Sequence, residues 1–415
     1  MIGLLSPLSL LTLTWCLSGG IAWIALAMPD TFDLLPLFMA RSGITLDRFG
    51  LLGGLWLVIA MLSALAGSLS AQLVSTPRAA FRIGVAPDLV VHRAERLTRV
   101  FVAITLVWIL LSVPKAGGPG HFLHLAQEEP AILRSILLDN TLFPGMRLSY
   151  GALPALACLA TALIASGSLS RQGRRRAWRI ILLSAFCLLV LPIVLSQRIL
   201  LMQFLISSWL AWSLAKGRLR AVFLIPLLAT LFCGIWVLRE ALTNPTLSDP
   251  VLTIAGQKLA FYFVNDLWNS FAPFETDIPH TLGGVSFRGP VILMGLDGVY
   301  DATFPAQIDA LEEARGGGEF SLFSGPYVDF GPFGGALFLA FAFFLARIAY
   351  HRARESLLGA ILYAQIGAAL LFSPHGNYLL HQNLIFGTLC ILWVYRSGRR
   401  IRTCPPTMES AHGAA

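Results

Sequence analysis

The chain has 415 residues, of which 56% are hydrophobic and only 13% charged, and it carries a formal net charge of +8. Soluble domains devote roughly a quarter of their residues to charge, and a water-soluble domain of this length could not hide so much apolar surface in one core. Lipid must be the solvent for much of the chain.

The first apolar run, at about 3–28, has no basic segment before it and no small-residue cleavage site ahead of a soluble domain. It reads as an uncleaved signal anchor. Further runs follow at about 49–73, 100–114, 147–169, 180–195, 199–215, 221–238, 331–346, 357–373 and 378–395. Only Ser196, Gln197 and Arg198 separate the runs at 180–195 and 199–215. One helix of that combined length would be nearly twice as long as the bilayer is thick, so a tight reversal is expected there. The sequence therefore predicts an all-α, polytopic transmembrane helix bundle of about ten spans, each of roughly 20 residues. Residues 1–415 read as a single membrane domain. Three connecting segments on one side are long: 29–48, 115–146 and above all 239–326, an extracytoplasmic loop between spans seven and eight.

Orientation follows from the basic residues. With the N-terminus inside, the inner segments hold Arg78, Arg82, Arg93, Arg96 and Arg99, then Arg171, Arg174, Arg175, Arg176 and Arg179. They also hold Lys216, Arg218 and Arg220, then Arg347, Arg352 and Arg354, then Arg396, Arg399, Arg400 and Arg402. Of the acids, only Asp88, Glu95, Glu355 and Glu409 join them. This bias places both termini in the cytoplasm, with 396–415 as a short tail. The basic blocks serve as anchors against an anionic leaflet, which excludes nucleic acid as a partner. Five of the six cysteines lie in apolar runs and Cys404 in the tail, so neither a disulfide framework nor a metal spacing can be built. No cofactor is expected.

Inside the runs, Gln203 and Gln365 are the notable polar groups, and no Asp, Glu or Lys lies near the middle of a run. Coupled transporters place ionisable groups there, so the chemistry is expected in the large loop. Its aromatic stretch, Leu259 to Val264 with Leu267 and Trp268, is too short to span and suits an interfacial helix. That helix would act as a plain plug or as a lid over a lipid-linked substrate. Arg198, Arg288 and Arg239 are candidate contacts for a lipid diphosphate, because guanidinium binds phosphate oxygens in a fixed fork. The alternative for Arg198 is a snorkelling side chain at a helix end. Glu275, His280 and Asp266 are the candidate catalytic groups, since deprotonating a sugar hydroxyl needs a carboxylate or imidazole within reach. Loop carboxylates are otherwise simply solvated. His375 and His381 read as a buried, satisfied cluster capping two helices, and Asp329, ahead of Pro332, as a helix cap.

The segment Tyr327-Val-Asp329-Phe330-Gly331-Pro-Phe-Gly334, followed by a helix and then His351-Arg352, resembles the signature of Wzy-type oligosaccharide repeat-unit polymerases. Ser196-Gln197-Arg198 is similar to a small-polar-Arg turn in the same families, and the likeness is best over about 180–395. Where family members often carry Asn-Thr before the tyrosine, this chain has Glu319-Phe-Ser-Leu-Phe-Ser324. The resemblance implies a multi-span glycosyltransferase of the lipid-phosphate-sugar type in the bacterial inner membrane. It would join undecaprenyl-diphosphate-linked oligosaccharide repeat units into O-antigen, capsule or exopolysaccharide at the outer face, with a flippase and a chain-length regulator as partners. Arg198 carries over as a diphosphate contact, and Tyr327, Asp329 and Gly331 as motif positions. No Asp-X-Asp sequence occurs, so metal-independent transfer is expected. An O-antigen ligase of the same pathway and a lipid-linked oligosaccharide transporter stand as alternatives.

Overall fold

The computed structural model describes residues 2–75, 85–143, 145–195, 199–217, 249–274, 278–315 and 318–397, and within 218–248 only 230, 233–234, 236–238 and 240–241. Among these the regular elements are all helical. They are α1 (Pro7–Ala27), α2 (Leu35–Arg41), α3 (Leu51–Val74), α4 (Pro87–Lys115), α5 (Pro119–Glu128) and α6 (Pro130–Asp139). Then come α7 (Leu148–Gly151), α8 (Leu153–Ser166), α9 (Arg171–Leu195) and α10 (Ile199–Lys216). After α11 (Val251–Phe271), the short α12 (Arg288–Leu293), α13 (Asp297–Thr303) and α14 (Pro305–Ala314) lead to α15 (Ser324–Ala353), α16 (Leu357–Leu371) and α17 (Gln382–Ser397).

Among the described residues, six helical stretches are long and apolar enough to cross a membrane: α1, α3, α4, α7 with α8, α10 and α15. The other predicted runs take different forms. The run at 180–195 is the apolar half of α9, whose first turns hold five arginines, and α16 has 15 residues. At about 1.5 Å per residue such a helix reaches some 22 Å, short of a straight crossing. The run at 221–238 lies almost wholly outside the described residues.

α8 sits in the middle of the bundle, packed by α9, α10, α16 and α17, and is buried on nearly every side from Leu153 to Ala165. A helix apolar all round has no polar face to give to water. Within this core Gln203 of α10 donates to Gln365 of α16 at 3.1 Å. The bond gives each amide one partner in an interior that demands them, while the Gln365 Nε2 stays without one among the described residues.

Among the described residues, α3 and α15 form the most extensive helix pair. Ala60, Ala64, Gly67 and Ala71 make a small-residue seam on α3, which lets backbones approach as small residues do in membrane helix pairs. A Cβ built on Gly67 would stand 1.9 Å from the Ala340 carbonyl oxygen. Gly67→Val is therefore expected to force the helices apart and to destabilise the fold by roughly 1–3 kcal/mol, read as a fall in the thermal midpoint in detergent. Gly54→Ala, which meets nothing within 4 Å, should leave that midpoint unchanged. On their outer faces α3 exposes Leu51, Leu55, Leu62 and Leu73, and α15 exposes Phe333, Leu337, Phe341 and Leu345. Such continuous apolar stripes are tolerated in lipid and rare on soluble monomers. The chain is a membrane protein.

α11 runs through the aromatic stretch of the large loop but is longer than expected, with 21 residues. Gln257, Lys258, Asn265 and Asp266 interrupt its apolar pattern, which is why hydropathy alone shows only a fragment. The helix is fastened to the connection between α1 and α3. Gln257 accepts from the Leu34 amide at 2.7 Å and donates to Asp33 at 2.6 Å, and the Trp268 indole donates to the Thr45 carbonyl at 2.8 Å. Phe271 meets Phe49 edge-on at 5.4 Å.

Candidate active site

At the end of the bundle that carries α11, the turn after α16 is held from three sides. The Trp15 indole donates to the Ser373 hydroxyl at 2.9 Å, Thr14 donates to the Leu371 carbonyl at 3.0 Å, and the Leu322 amide donates to the Ser373 carbonyl at 2.8 Å. Trp15 also stacks on Phe323 at 4.5 Å. This frame presents His375 to α11, where His375 Nδ1 lies 2.8 Å from Asp266 Oδ1. The imidazole side chain is 35% exposed and the carboxylate 11%, so the pair opens toward solvent through the histidine. Burial pulls the His375 pKa down, but the charge and hydrogen bond of Asp266, with Glu319 beyond, more than offset this, and the net shift is upward. Tyr378 lies parallel to the His375 ring at 6.2 Å, its phenol pushed well up by burial and then by Glu319 and Asp266.

Only half of the expected histidine cluster behaves as a cap. His381 Nδ1 accepts from the Asn383 amide at 3.3 Å, as a cap of α17 should, and burial lowers its pKa against the opposing charge of Glu319. His375 instead completes a carboxylate–imidazole pair with Asp266. Two residues on, Asn377 has both side-chain polar atoms buried without a hydrogen-bond partner among the described residues. Such a group is normally satisfied by something. Arg48 is a further group that sequence reading passed over. Its guanidinium lies 5.5 Å from the Trp268 ring centre, and its Nη1 is buried without a partner among the described residues.

Asp329 does not cap its own helix. Its carboxylate turns to the segment before α12, accepting from the Val285 amide at 2.9 Å, the Ser286 amide at 2.6 Å and the Thr281 hydroxyl. Gly331 makes this possible: its φ of 70° breaks α15 about two turns into the helix, a conformation that glycine adopts without strain. His280 sits beside that break, with Nδ1 3.2 Å from the Val328 carbonyl, and no contact among the described residues joins it to Asp266. Tyr327 packs between Phe274 and Trp56, at 4.3 and 5.1 Å. The motif positions thus build a seam between the loop and α15.

Arg288 belongs to the same seam. Its two terminal nitrogens bind Asp301 at 2.5 and 2.9 Å, so the fork that a diphosphate would need is already filled. The hydrogen bond to Asp301 raises the arginine pKa and lowers that of the aspartate. Arg288→Asp alone is expected to lower stability by about 1 kcal/mol, because the pair is partly exposed. The double variant Arg288→Asp/Asp301→Arg should recover most of that loss, measured as thermal midpoints. Arg198, Arg239 and Glu275 lie outside the described residues.

Comparison with known proteins finds no matching family model, no matching curated protein and no matching solved structure. What the fold and the site define is an all-helical membrane protein with a carboxylate–imidazole pair at its loop-bearing end.

Proposed function

We propose that this protein joins undecaprenyl-diphosphate-linked oligosaccharide repeat units into a surface polysaccharide at the outer face of the bacterial inner membrane. In this reading the bundle makes ten spans with both termini in the cytoplasm. The observation that carries it is the Asp266–His375 pair, set beside an aromatic helix at the end of an apolar bundle. Asp266 accepts the Nδ1 proton, which leaves the Nε2 lone pair of His375 to take the proton of an acceptor sugar hydroxyl. The acceptor oxygen then bonds to the anomeric carbon of the donor, and the bond from that carbon to the lipid diphosphate breaks. In this scheme the Asn377 amide, without a hydrogen-bond partner among the described residues, binds a sugar hydroxyl, and Arg48, Arg198 and Arg239 balance the departing diphosphate. The likeness of the Tyr327–Gly334 segment to repeat-unit polymerases supports the same reading.

Deleting the gene tests it. Surface glycan limited to a single repeat is the expected outcome, whereas lipid-linked polymer left unattached would indicate the ligase. Unchanged surface glycan would sink both, and accumulation of repeats on the inner leaflet would indicate the transporter. Transfer is expected to persist with chelator in purified protein, and its loss there would overturn the metal-independent scheme.

A further inference from the structure

The opposite, basic end of the bundle carries a second constellation that glycosyl transfer does not use. At this end Asp88 of α4 accepts from the Ser170 amide and hydroxyl at 3.2 and 2.9 Å, joining the starts of α4 and α9. Two turns along α4, the nearly buried Glu95 gathers three arginines. Its Oε1 takes Arg99 at 2.6 Å and Arg179 at 3.2 Å, and its Oε2 stands 3.7 Å from Arg176. One carboxylate cannot neutralise three guanidinium groups, so a net positive charge remains. Arg99 and Arg179 are each 58% exposed, so donors beyond those on Glu95 face outward from a head that the carboxylate holds in place.

Below each of these arginines runs an apolar stripe. On α9, Leu182, Phe186 and Val190 follow Arg179 at spacings of three, seven and eleven, and all are exposed. On α4, Leu106 and Leu110 follow Arg99 at seven and eleven, and both are exposed. Helical geometry puts each set on one face. Trp178, half exposed beside Arg179, is the residue type that settles at the headgroup level. A cationic fork at one end of two parallel apolar stripes has the shape of an amphiphile.

We infer that the α4–α9 seam is a binding site for one anionic phospholipid. Its phosphodiester head sits on Arg99 and Arg179, and an acyl chain lies along the stripes. Guanidinium groups recognise phosphate oxygens through paired N–H donors, and basic pockets between membrane helices hold anionic headgroups. A free oxyanion could use the fork but would gain nothing from the stripes.

The test uses the full-length protein in detergent, titrated with phosphatidylglycerol or phosphatidylcholine and read by native mass spectrometry. Phosphatidylglycerol should bind about thirtyfold more tightly, which corresponds to roughly 1 kcal/mol for each of the two arginines near the headgroup. Arg99→Gln/Arg179→Gln should abolish the preference, while Arg174→Gln/Arg175→Gln, which alters arginines not bound to Glu95, should keep it. Equal loss in both double variants, no preference in the native protein, or displacement of the lipid by inorganic phosphate would each overturn the site. Should the glutamine pair fail to fold, Arg99→Lys/Arg179→Lys carries the test. It keeps charge but not the fork, and must bind phosphatidylglycerol severalfold more weakly than the native protein; unchanged affinity overturns the inference.

Discussion

His375→Ala is expected to slow the joining of lipid-linked repeats by roughly 10²- to 10⁴-fold, the usual contribution of a positioned general base. The amount of folded protein in the membrane should stay near normal, because the ring is a third exposed and its one strong bond is to Asp266. The pH profile gives the sharper test. A base works only in its neutral form, and the His375 pKa is raised above the ordinary 6.5. The rate should therefore climb with pH through an inflection above that value. Asp266→Asn removes the charge that stabilises the imidazolium, so the inflection should move to lower pH while the maximal rate falls through loss of the Nδ1 anchor. A structural pair would change protein level and leave the inflection where it was. Equal loss of folded protein in His375→Ala and Asp266→Asn would thus remove both residues from the chemistry.

The largest loss of stability is expected at Asp329. The carboxylate is fully buried and accepts from two backbone amides and one hydroxyl of the segment 281–286. Hydrogen bonds to a charged acceptor contribute about 1.5–3 kcal/mol each, and buried donors left without a partner add their desolvation cost. Asp329→Ala strands all three donors and should destabilise the protein by about 3 kcal/mol or more. Asp329→Asn keeps the size but turns an NH₂ toward at least one donor, so it should recover only part of the loss. Thr281→Val, which removes one donor together with its need for a partner, should cost the least. Thermal midpoints, with proteolysis of the 281–301 segment as a second readout, order the three. A rank in which Asp329→Ala is mildest would show that the seam does not hold α15 to the loop.

These two expectations divide the motif-bearing half of the chain. Tyr327, Asp329 and Gly331 shape the frame, whereas Asp266 and His375 face an opening. Along the chain, Asp266, Glu275 and His280 stand out as candidate catalytic groups, whereas His375 reads as a cap. His280 was drawn in by its acidic neighbours in the chain, but its Nδ1 turns to the Val328 carbonyl instead. A signal for His375 did exist, in the cluster of histidine, tyrosine and asparagine between two apolar runs. Nothing in the linear order, however, points to a partner 109 residues away.

The sequence by itself determined the solvent. Composition and the long apolar runs require lipid, and the same runs mark most of the helices, because hydrophobic periodicity is a local property written along the chain. The basic blocks likewise mark one end of the bundle, and Gln203 and Gln365 stand out as the interior polar groups before any fold is known. Tertiary structure alone decided the partners. It joined those two glutamines, gave Asp266 to His375 and Arg288 to Asp301, carried Asp329 across to 281–286, and brought Arg176 and Arg179 of α9 to Glu95. These contacts depend on how helices pack, and the Asp329 contact also on where α15 breaks at Gly331. Side chains brought together that way share no pattern in sequence, only a position in space.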